Sequence, residues 1–139
     1  MCGYLVMTPA ADPSATRRSE WLRGVLQPCV LQCLAVGPAY GHGYGYGYGY
    51  GYGYAIIARL AEAGIGEIMG GTLYPLLARL ETRELVTIEW RTGEGGPGRK
   101  YFRLTDVGRA ELADARTAWS AFARAVDTHL ELDRAPSHP

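Results

Sequence analysis

The chain has 139 residues, 47% of them hydrophobic and 20% charged, which are ordinary proportions for a globular protein with a buried core. This length leaves room for one domain with short tails and excludes a multidomain enzyme. The 14 basic residues balance the 14 acidic ones, so the chain as a whole has no positive field that would indicate nucleic acid or an acidic membrane as a partner.

The cysteines indicate neither a disulfide framework nor a metal site. Cys29 and Cys33 stand four residues apart in an apolar run, as buried thiols on a helix would, and Cys2 is the third cysteine. The histidines are far from them in sequence, so a metal-ligand set is incomplete and we expect no metal and no cofactor. The apolar patch at 4–7 is too short for a signal or a membrane span, which predicts a cytoplasmic protein.

The first third of the chain predicts an arm followed by helix. Residues 1–19 mix Pro, Ser, Thr and Ala without periodicity and are predicted to form a mobile arm. In 21–36 apolar residues recur every three or four positions, which is the period of a helix. Pro28 leaves two alternatives open: a helix kinked at the proline, or a helix over 28–36 preceded by a separate turn.

Two more helices are predicted, over 55–63 and over about 72–83. In the second, leucines recur at helical spacing and predict a buried stripe, formed by Leu73, Leu76, Leu77 and Leu80. Pro75 fits this helix if it lies in the first turn, where a missing N–H has no consequence.

The period then changes to two, which is typical of strands. Val86, Ile88 and Trp90 alternate with polar residues, a glycine-rich turn follows at 93–98, and a returning strand is predicted over 99–104. Basic residues concentrate in this hairpin and give residues 91–103 a local charge of +3: Arg91, Arg99, Lys100 and Arg103 against Glu94.

A long helix is predicted from a cap at Thr105 to about Leu132, with a short tail at 133–139. Its apolar residues follow a heptad seam, made of Leu112, Ala115, Trp119, Phe122, Val126 and His129. So small a domain cannot cover the whole seam, so we expect a partner chain. Three short helices, a hairpin and a long helix predict a mainly α winged helix-turn-helix over 20–104 and a dimerisation helix over 105–132.

The most unusual segment is a sixfold Gly-Tyr repeat at 43–54. Deleting 42–53 leaves a complete core, so we interpret the repeat as an insertion in a loop, which costs about 0.6 kcal/mol per doubling of loop length. Its expected form is a flexible loop. Alternatives are an extended ladder with all tyrosines on one face, stacking on bases, self-association, or a helix start formed by the first Gly-Tyr pairs.

Several blocks between residues 20 and 132 resemble the PadR-like transcriptional regulators. They are LRGVLQPCVL at 22–31, GPAYG at 37–41, GTLYP at 71–75 with Arg79-Leu80-Glu81, and GGPGRKYFRLT at 95–105 with Gly108. The resemblance implies a homodimer that pairs its C-terminal helices, binds a pseudo-palindromic operator in double-stranded DNA and usually represses a neighbouring gene. One departure is Met69-Gly70, where the family commonly has Ser-Pro; a serine there would cap the helix and offer a hydroxyl to phosphate.

The residue chemistry agrees with DNA binding. Thr72, Tyr74 and Arg79 are suited to reach base edges from a helix in the major groove, while Arg99 and Lys100 flank a glycine-rich tip and would neutralise phosphate. The matched blocks add two further candidate DNA-contacting residues, Pro75 and Gly96. The alternatives are that Tyr74 packs on the hairpin and that the arginines form a solvated face.

The seam of the last helix has two interpretations as well. The resemblance implies that aromatic side chains near the dimer axis enclose a small apolar effector, and the candidate residues are Leu112, Trp119, Phe122 and Val126. The simpler interpretation is that they form dimer core. No arrangement of residues predicts an enzyme. The alternative function is a winged helix that binds proteins without specific DNA binding, since net charge is zero and residues 55–90 are acidic.

Overall fold

A computed structural model describes residues 13–36, 49–92 and 98–132. Within these ranges the chain forms helices and one antiparallel hairpin: α1 Pro13–Leu22, α2 Leu26–Ala35, α3 Gly49–Glu62, α4 Gly70–Thr82, β1 Val86–Thr92, β2 Gly98–Leu104 and α5 Asp106–His129. The predicted tail at 133–139, most of the glycine-rich tip and residues 42–48 of the repeat lie outside them. No helix in the described ranges has a stretch long and apolar enough to cross a membrane.

The core lies between α2, α3, α4 and the hairpin, and α5 packs on it from one side. Its least exposed side chains come from all of these inner elements, and they are Leu31, Ile56, Leu73, Leu77, Leu80, Val30 and Val86. Burial of each such side chain is worth about 1.5–3 kcal/mol relative to exposure. The predicted leucine stripe of α4 and the mainly α winged helix-turn-helix architecture are both confirmed.

Helix α1 begins earlier than the sequence indicates. The prediction of an arm up to residue 19 is wrong for 13–19, which are helical from Pro13 onward; residues 1–12 lie outside the described part. Proline is well suited to the first position of a helix. The helix shows almost no apolar period because its described side chains are exposed until Leu22, which packs on the core.

Helix α2 decides between the two alternatives for Pro28. The helix starts at Leu26, after Val25, so Pro28 is its third residue and stands in the first turn. There the proline displaces no intrahelical hydrogen bond. The alternative without a kink is therefore confirmed, since a separate helix contains Pro28 in its first turn, but this helix starts two residues earlier than predicted. The predicted turn over 21–26 is shorter, because Trp21 and Leu22 end α1 and Leu26 begins α2.

Helix α3 begins at Gly49, inside the Gly-Tyr repeat. The prediction of a loop through residue 53 is therefore wrong for 49–53, and so is the extended alternative there, because the backbone of this part is helical. The first Gly-Tyr pairs lie outside the described residues. Helix α3 docks through Ala55, Ile56 and Leu60, which are buried, and the helix extends backward from that anchor.

Helix α4 begins at Gly70, with Met69 as its extended N-cap residue, two residues before the predicted start. The placement of Pro75 in the first turn is therefore wrong: it is the sixth residue of the helix. Proline has no N–H to donate to the carbonyl of Gly71, four residues back, and its ring crowds that carbonyl. The helix nevertheless continues through Pro75 to Thr82.

Helix α5 begins against the junction between α4 and β1. Thr105 caps it as predicted, because its Oγ1 accepts a hydrogen bond from the N–H of Gly108 at 2.9 Å. The same hydroxyl donates to the carbonyl of Glu84 at 2.7 Å, and the Thr105 N–H donates to the carbonyl of Leu85 at 3.0 Å. Glu84 has a φ of 63°, a strained value for a residue with a side chain.

Gly108 is buried at this contact. A Cβ atom at this position would collide with the carbonyl oxygen of Leu85 and lie 2.8 Å from Cδ1 of Leu104. The backbone of α5 can therefore approach the α4–β1 junction only because residue 108 has no side chain.

We predict that Gly108→Ala lowers the free energy of unfolding by about 1–3 kcal/mol or more, because the added methyl group must push α5 away from Leu85. Gly71→Ala is the matched control, since a Cβ there has nothing within 4 Å. It should stabilise by about 0.4–1 kcal/mol. Urea unfolding of both variants measures the difference, and equal effects of the two substitutions would contradict the close approach.

Candidate nucleic-acid interface

Helix α4 presents a polar face opposite its leucine stripe. Thr72, Pro75 and Arg79 are spaced three and four residues apart, so they share one face, and all three are exposed. The first turn contains no acidic residue, and its N–H groups form the positive end of the helix dipole. This face can approach a negatively charged backbone and offer side chains to base edges.

Tyr74 lies on the same helix, 43% exposed, and its ring packs back over Gly70 in the first turn. A Cβ at Gly70 would stand 3.4 Å from the Tyr74 ring. Partial burial raises the pKa of the Tyr74 phenol, so the group is protonated at neutral pH and can donate a hydrogen bond. Met69, the N-cap residue of α4, is exposed and has no side-chain oxygen that could cap the helix. This agrees with the absence of the Ser-Pro pair that the family commonly has at 69–70.

The hairpin places three of its four basic residues, Arg91, Arg99 and Lys100, in the half away from the core. Its register pairs Val86 with Leu104 at the base, and Arg91 with Arg99 near the tip. Directly opposed residues in a sheet have Cβ atoms about 4.5–5.5 Å apart, and like charges in that position are destabilising.

The four basic residues of the hairpin are not equivalent. Arg103 lies in the inner half of β2, and its Nη2 is 3.2 Å from Oε1 of Glu89 on β1, so its charge is balanced within the hairpin. Arg99 and Lys100 belong to the outer half of β2; their side chains lie outside the described part, as does Gly96. The structure therefore supplies the strand register of the predicted phosphate-contacting residues.

The exposed Trp90 on β1 is a feature that the sequence analysis did not single out. It is opposite Lys100 in the register and is 66% exposed, whereas Val86 on the same strand is buried. The alternation of apolar and polar residues placed all three apolar residues of β1 on one face, but it did not show that the core ends near Ile88. The exposure of Trp90 could have been predicted from its position, because it is the apolar residue of β1 closest to the tip.

Helix α5 divides the predicted seam in two. Leu112 is 4% exposed and belongs to the core of its own chain, so its placement on an open dimer surface is wrong. Trp119 and Phe122 are exposed, with ring centroids 6.3 Å apart, and Val126 continues this surface. None of the residues described at 113–132 is buried. The first turns of α5 are covered by the domain, and the rest is left open.

A cavity of about 570 Å³ lies between α2, α3 and α5. Trp119 and Leu112 from α5 form one side of it, and Cys29 and Cys33 from α2 form another. The cavity thus reaches one end of the exposed aromatic surface. Trp119 and Leu112 were predicted to line an effector pocket, but no sequence pattern connected them with the cysteines, which are about 80 residues away along the chain.

Two arginines hold α2 against its neighbours. Nη1 of Arg59 on α3 donates to the carbonyl of Cys33 at 3.0 Å, near the end of α2. Nη1 of Arg83, just after α4, donates to Oε1 of Gln27 at 3.2 Å. The first of these contacts fixes one wall of the cavity.

The fold and its sequence are similar to those of known regulators. The family model described as "Transcriptional regulator PadR-like family" matches residues 48–114. A transcriptional regulator of Mycobacterium tuberculosis is 45% identical over 56 residues, which are 40% of this chain and 51% of that protein.

Solved structures extend the similarity over most of the chain. A PadR-family transcriptional regulator from Eggerthella lenta is 34% identical, with a TM-score of 0.67, and the match covers 86% of this chain and 94% of that one. A PadR-like transcriptional regulator from Bacillus cereus is 26% identical, with a TM-score of 0.65, over 82% and 99% of the two chains. The chain therefore belongs to the PadR-like family, whose members are DNA-binding transcriptional regulators and not enzymes.

Proposed function

We propose that this chain is a cytoplasmic repressor that binds a pseudo-palindromic operator in double-stranded DNA as a homodimer. The observation that carries the proposal is the hairpin register, which opposes Arg91 to Arg99 beside an exposed polar helix. Like charges opposed in a sheet are destabilising on their own, so this register favours an anionic partner. A DNA backbone supplies phosphates in a regular row, and α4 contacts β1 and so lies next to the hairpin.

The two elements divide the work of recognition. Thr72, Tyr74 and Arg79 approach base edges from α4 in the major groove, with Pro75 on the same surface. Arg99 and Lys100 contact phosphate from the hairpin, and Gly96 at its tip allows the backbone to come close. Phosphate contacts position the protein, while base contacts select the sequence.

The exposed half of α5 supports the homodimer. Trp119, Phe122 and Val126 form an apolar surface on a helix of 24 residues, about 36 Å long, of which the domain covers only the start. A second copy of α5 related by twofold symmetry would cover this surface with the same residues. Two heads in that arrangement match the symmetry of a pseudo-palindrome.

The same region supports release by a small apolar effector. Trp119 lies both on the exposed surface and at the cavity between α2, α3 and α5. An apolar molecule that packs on Trp119 would therefore contact both the winged helix domain and the dimerisation helix α5. Leu112, also on α5, lines the same cavity.

We predict that Arg99→Ala with Lys100→Ala weakens binding to all DNA and reduces the slope of log K against log salt by about 2, one unit for each lost phosphate contact. Tyr74→Ala should instead reduce discrimination between operator and random DNA by about tenfold or more. Electrophoretic titrations with the DNA upstream of this gene, at about 50–200 mM salt, measure both quantities.

Arg124→Ala is the matched control, because it removes an exposed arginine from α5, away from the hairpin. Equal behaviour of the hairpin and Tyr74 variants would contradict the division of work. A wild-type chain that forms no specific DNA complex at any salt would support the protein-binding alternative.

We predict that Phe122→Asp dissociates the dimer, since it introduces a buried charge into the paired surface. Sedimentation equilibrium should show the mass falling from twice 15.1 kDa to 15.1 kDa. Phe122 is 61% exposed in one chain, so its replacement leaves the core intact. Thr117→Asp, on the opposite side of α5, should leave the dimer unchanged, and a dimeric Phe122→Asp chain would refute this interface.

We predict that planar apolar compounds quench the emission of Trp119 in a saturable way. The Trp119 signal is the difference between the wild type and Trp119→Phe, because Trp21 and Trp90 also emit. Trp119→Ala should lose the binding while Trp90→Phe keeps it. A series of compounds that leaves the Trp119 emission unchanged would end the effector proposal at this site.

A further inference from the structure

Two free thiols and an arginine converge on the cavity between α2, α3 and α5. Cys29, Cys33 and Arg59 all line it, and both cysteines are reduced. We propose that Cys29 and Cys33 bind a soft monovalent cation of the Cu(I) and Ag(I) class as a two-coordinate bis-thiolate beside Arg59. This site goes beyond DNA binding and differs from the sequence expectation of no metal, which assumed a larger ligand set.

The spacing of the two cysteines suits a shared ion. They are separated by four residues on α2, so they are neighbours on one face, with Cβ atoms about 5–6 Å apart. Both belong to the wall of the same cavity, so this face is the one turned toward α3 and α5. Cys29 is half-buried and Cys33 is buried, which leaves the pair a route to solvent through Cys29.

The lining of the cavity selects against hard ions. Apart from Glu62, the residues that line it contribute no carboxylate, and most are apolar. Calcium and magnesium take six or more oxygen ligands, and structural zinc takes four ligands of nitrogen, sulfur or oxygen. The described residues contain no group of three or more His, Cys, Asp or Glu able to hold a metal. Two thiolates alone match the preference of Cu(I) for soft sulfur ligands.

The charges around the cavity match a bis-thiolate of a monovalent ion, which has a net charge of −1. Arg59 on α3 and Arg116 on α5 are positive, Glu62 on α3 is negative, and all three line the cavity. Arg59 is held at the right turn of α2 because it donates to the carbonyl of Cys33 at 3.0 Å. Its charge also opposes the effect of burial on the Cys33 thiol.

Binding requires the loss of both thiol protons. A cysteine thiol has an ordinary pKa of about 8.5, so both thiols are mostly protonated at neutral pH. At neutral pH one cation and two thiols therefore give one bis-thiolate and two released protons, with no change of oxidation state. Because two protons are released for each ion bound, the apparent affinity should increase about 100-fold for each unit by which the pH rises, as long as both thiols are mostly protonated.

The test uses Ag(I), which unlike Cu(I) is not oxidised by air, titrated as the nitrate into full-length protein in chloride-free buffer. All variants carry Cys2→Ser, so that Cys29 and Cys33 are the two remaining thiols. Native mass spectrometry and competition titration should show one Ag(I) per chain. Cys29→Ser and Cys33→Ser should each weaken binding by at least about 100-fold, and Gln32→Ser, another residue of the cavity wall, should leave it unchanged.

Two further measurements separate this site from ordinary thiol binding. The affinity should rise about 100-fold from pH 6 to pH 7, and Arg59→Gln should lower it about tenfold. One separate chain, with Cys29→Ser and Cys33→Ser but with Cys2 retained, reports the affinity of a single thiol. Equal affinity in that chain, unchanged affinity in either serine variant, or a pH slope of one proton would overturn the proposal. Since no DNA is present, these outcomes are independent of the repressor proposal.

Discussion

The arrangement of the molecule depends on the close approach of α5 to the α4–β1 junction. At this point Gly108 lies against the carbonyl of Leu85, and Thr105 bonds to the backbone of Glu84 and Leu85. The contact joins the start of α5 to the end of α4 with little backbone freedom between them. The direction of α5 relative to α4 and the hairpin is thereby fixed, and in the proposed homodimer it would set the angle between the two winged helix domains.

Periodicity predicted the elements that bury a face. The leucine stripe of α4 and the alternation of β1 depend on one buried side, so a one-residue change of register would expose the core residues. Helix α1 has no such face among its described side chains, which are exposed until Leu22, and its sequence therefore resembled an arm. The start of α3 was missed for a related reason: Gly-Tyr repeats have a period of two, and glycine disfavours helix, while the docking of Ile56 and Leu60 extends the helix back into the repeat.

The sequence predicted which residue types form the candidate site better than it predicted which of these residues are exposed. Leu112 and Trp119 occupy equivalent positions in one heptad seam, yet the first is covered by its own domain and the second is open. The difference comes from where the head ends along α5, which no local pattern contains. The strained φ of Glu84 and the need for glycine at 108 also arise from packing between distant segments. Pro75 was predicted in the first turn because proline is unfavourable deeper in a helix. In the structure it nevertheless lies in the second turn of α4.

Trp119 connects the exposed apolar surface of α5, which is the proposed dimer surface, with the cavity between α2, α3 and α5. Its ring contacts that of Phe122 on the open face of α5, and it also forms part of the cavity wall opposite Cys29. A rotation of α5 that improved pairing between two copies would move this wall, and a molecule or ion that drew α2 toward α5 would move the ring. Because Gly108 and Thr105 hold the start of α5 close to the end of α4, with no flexible linker between them, such a movement would reach α4, the helix proposed to contact DNA.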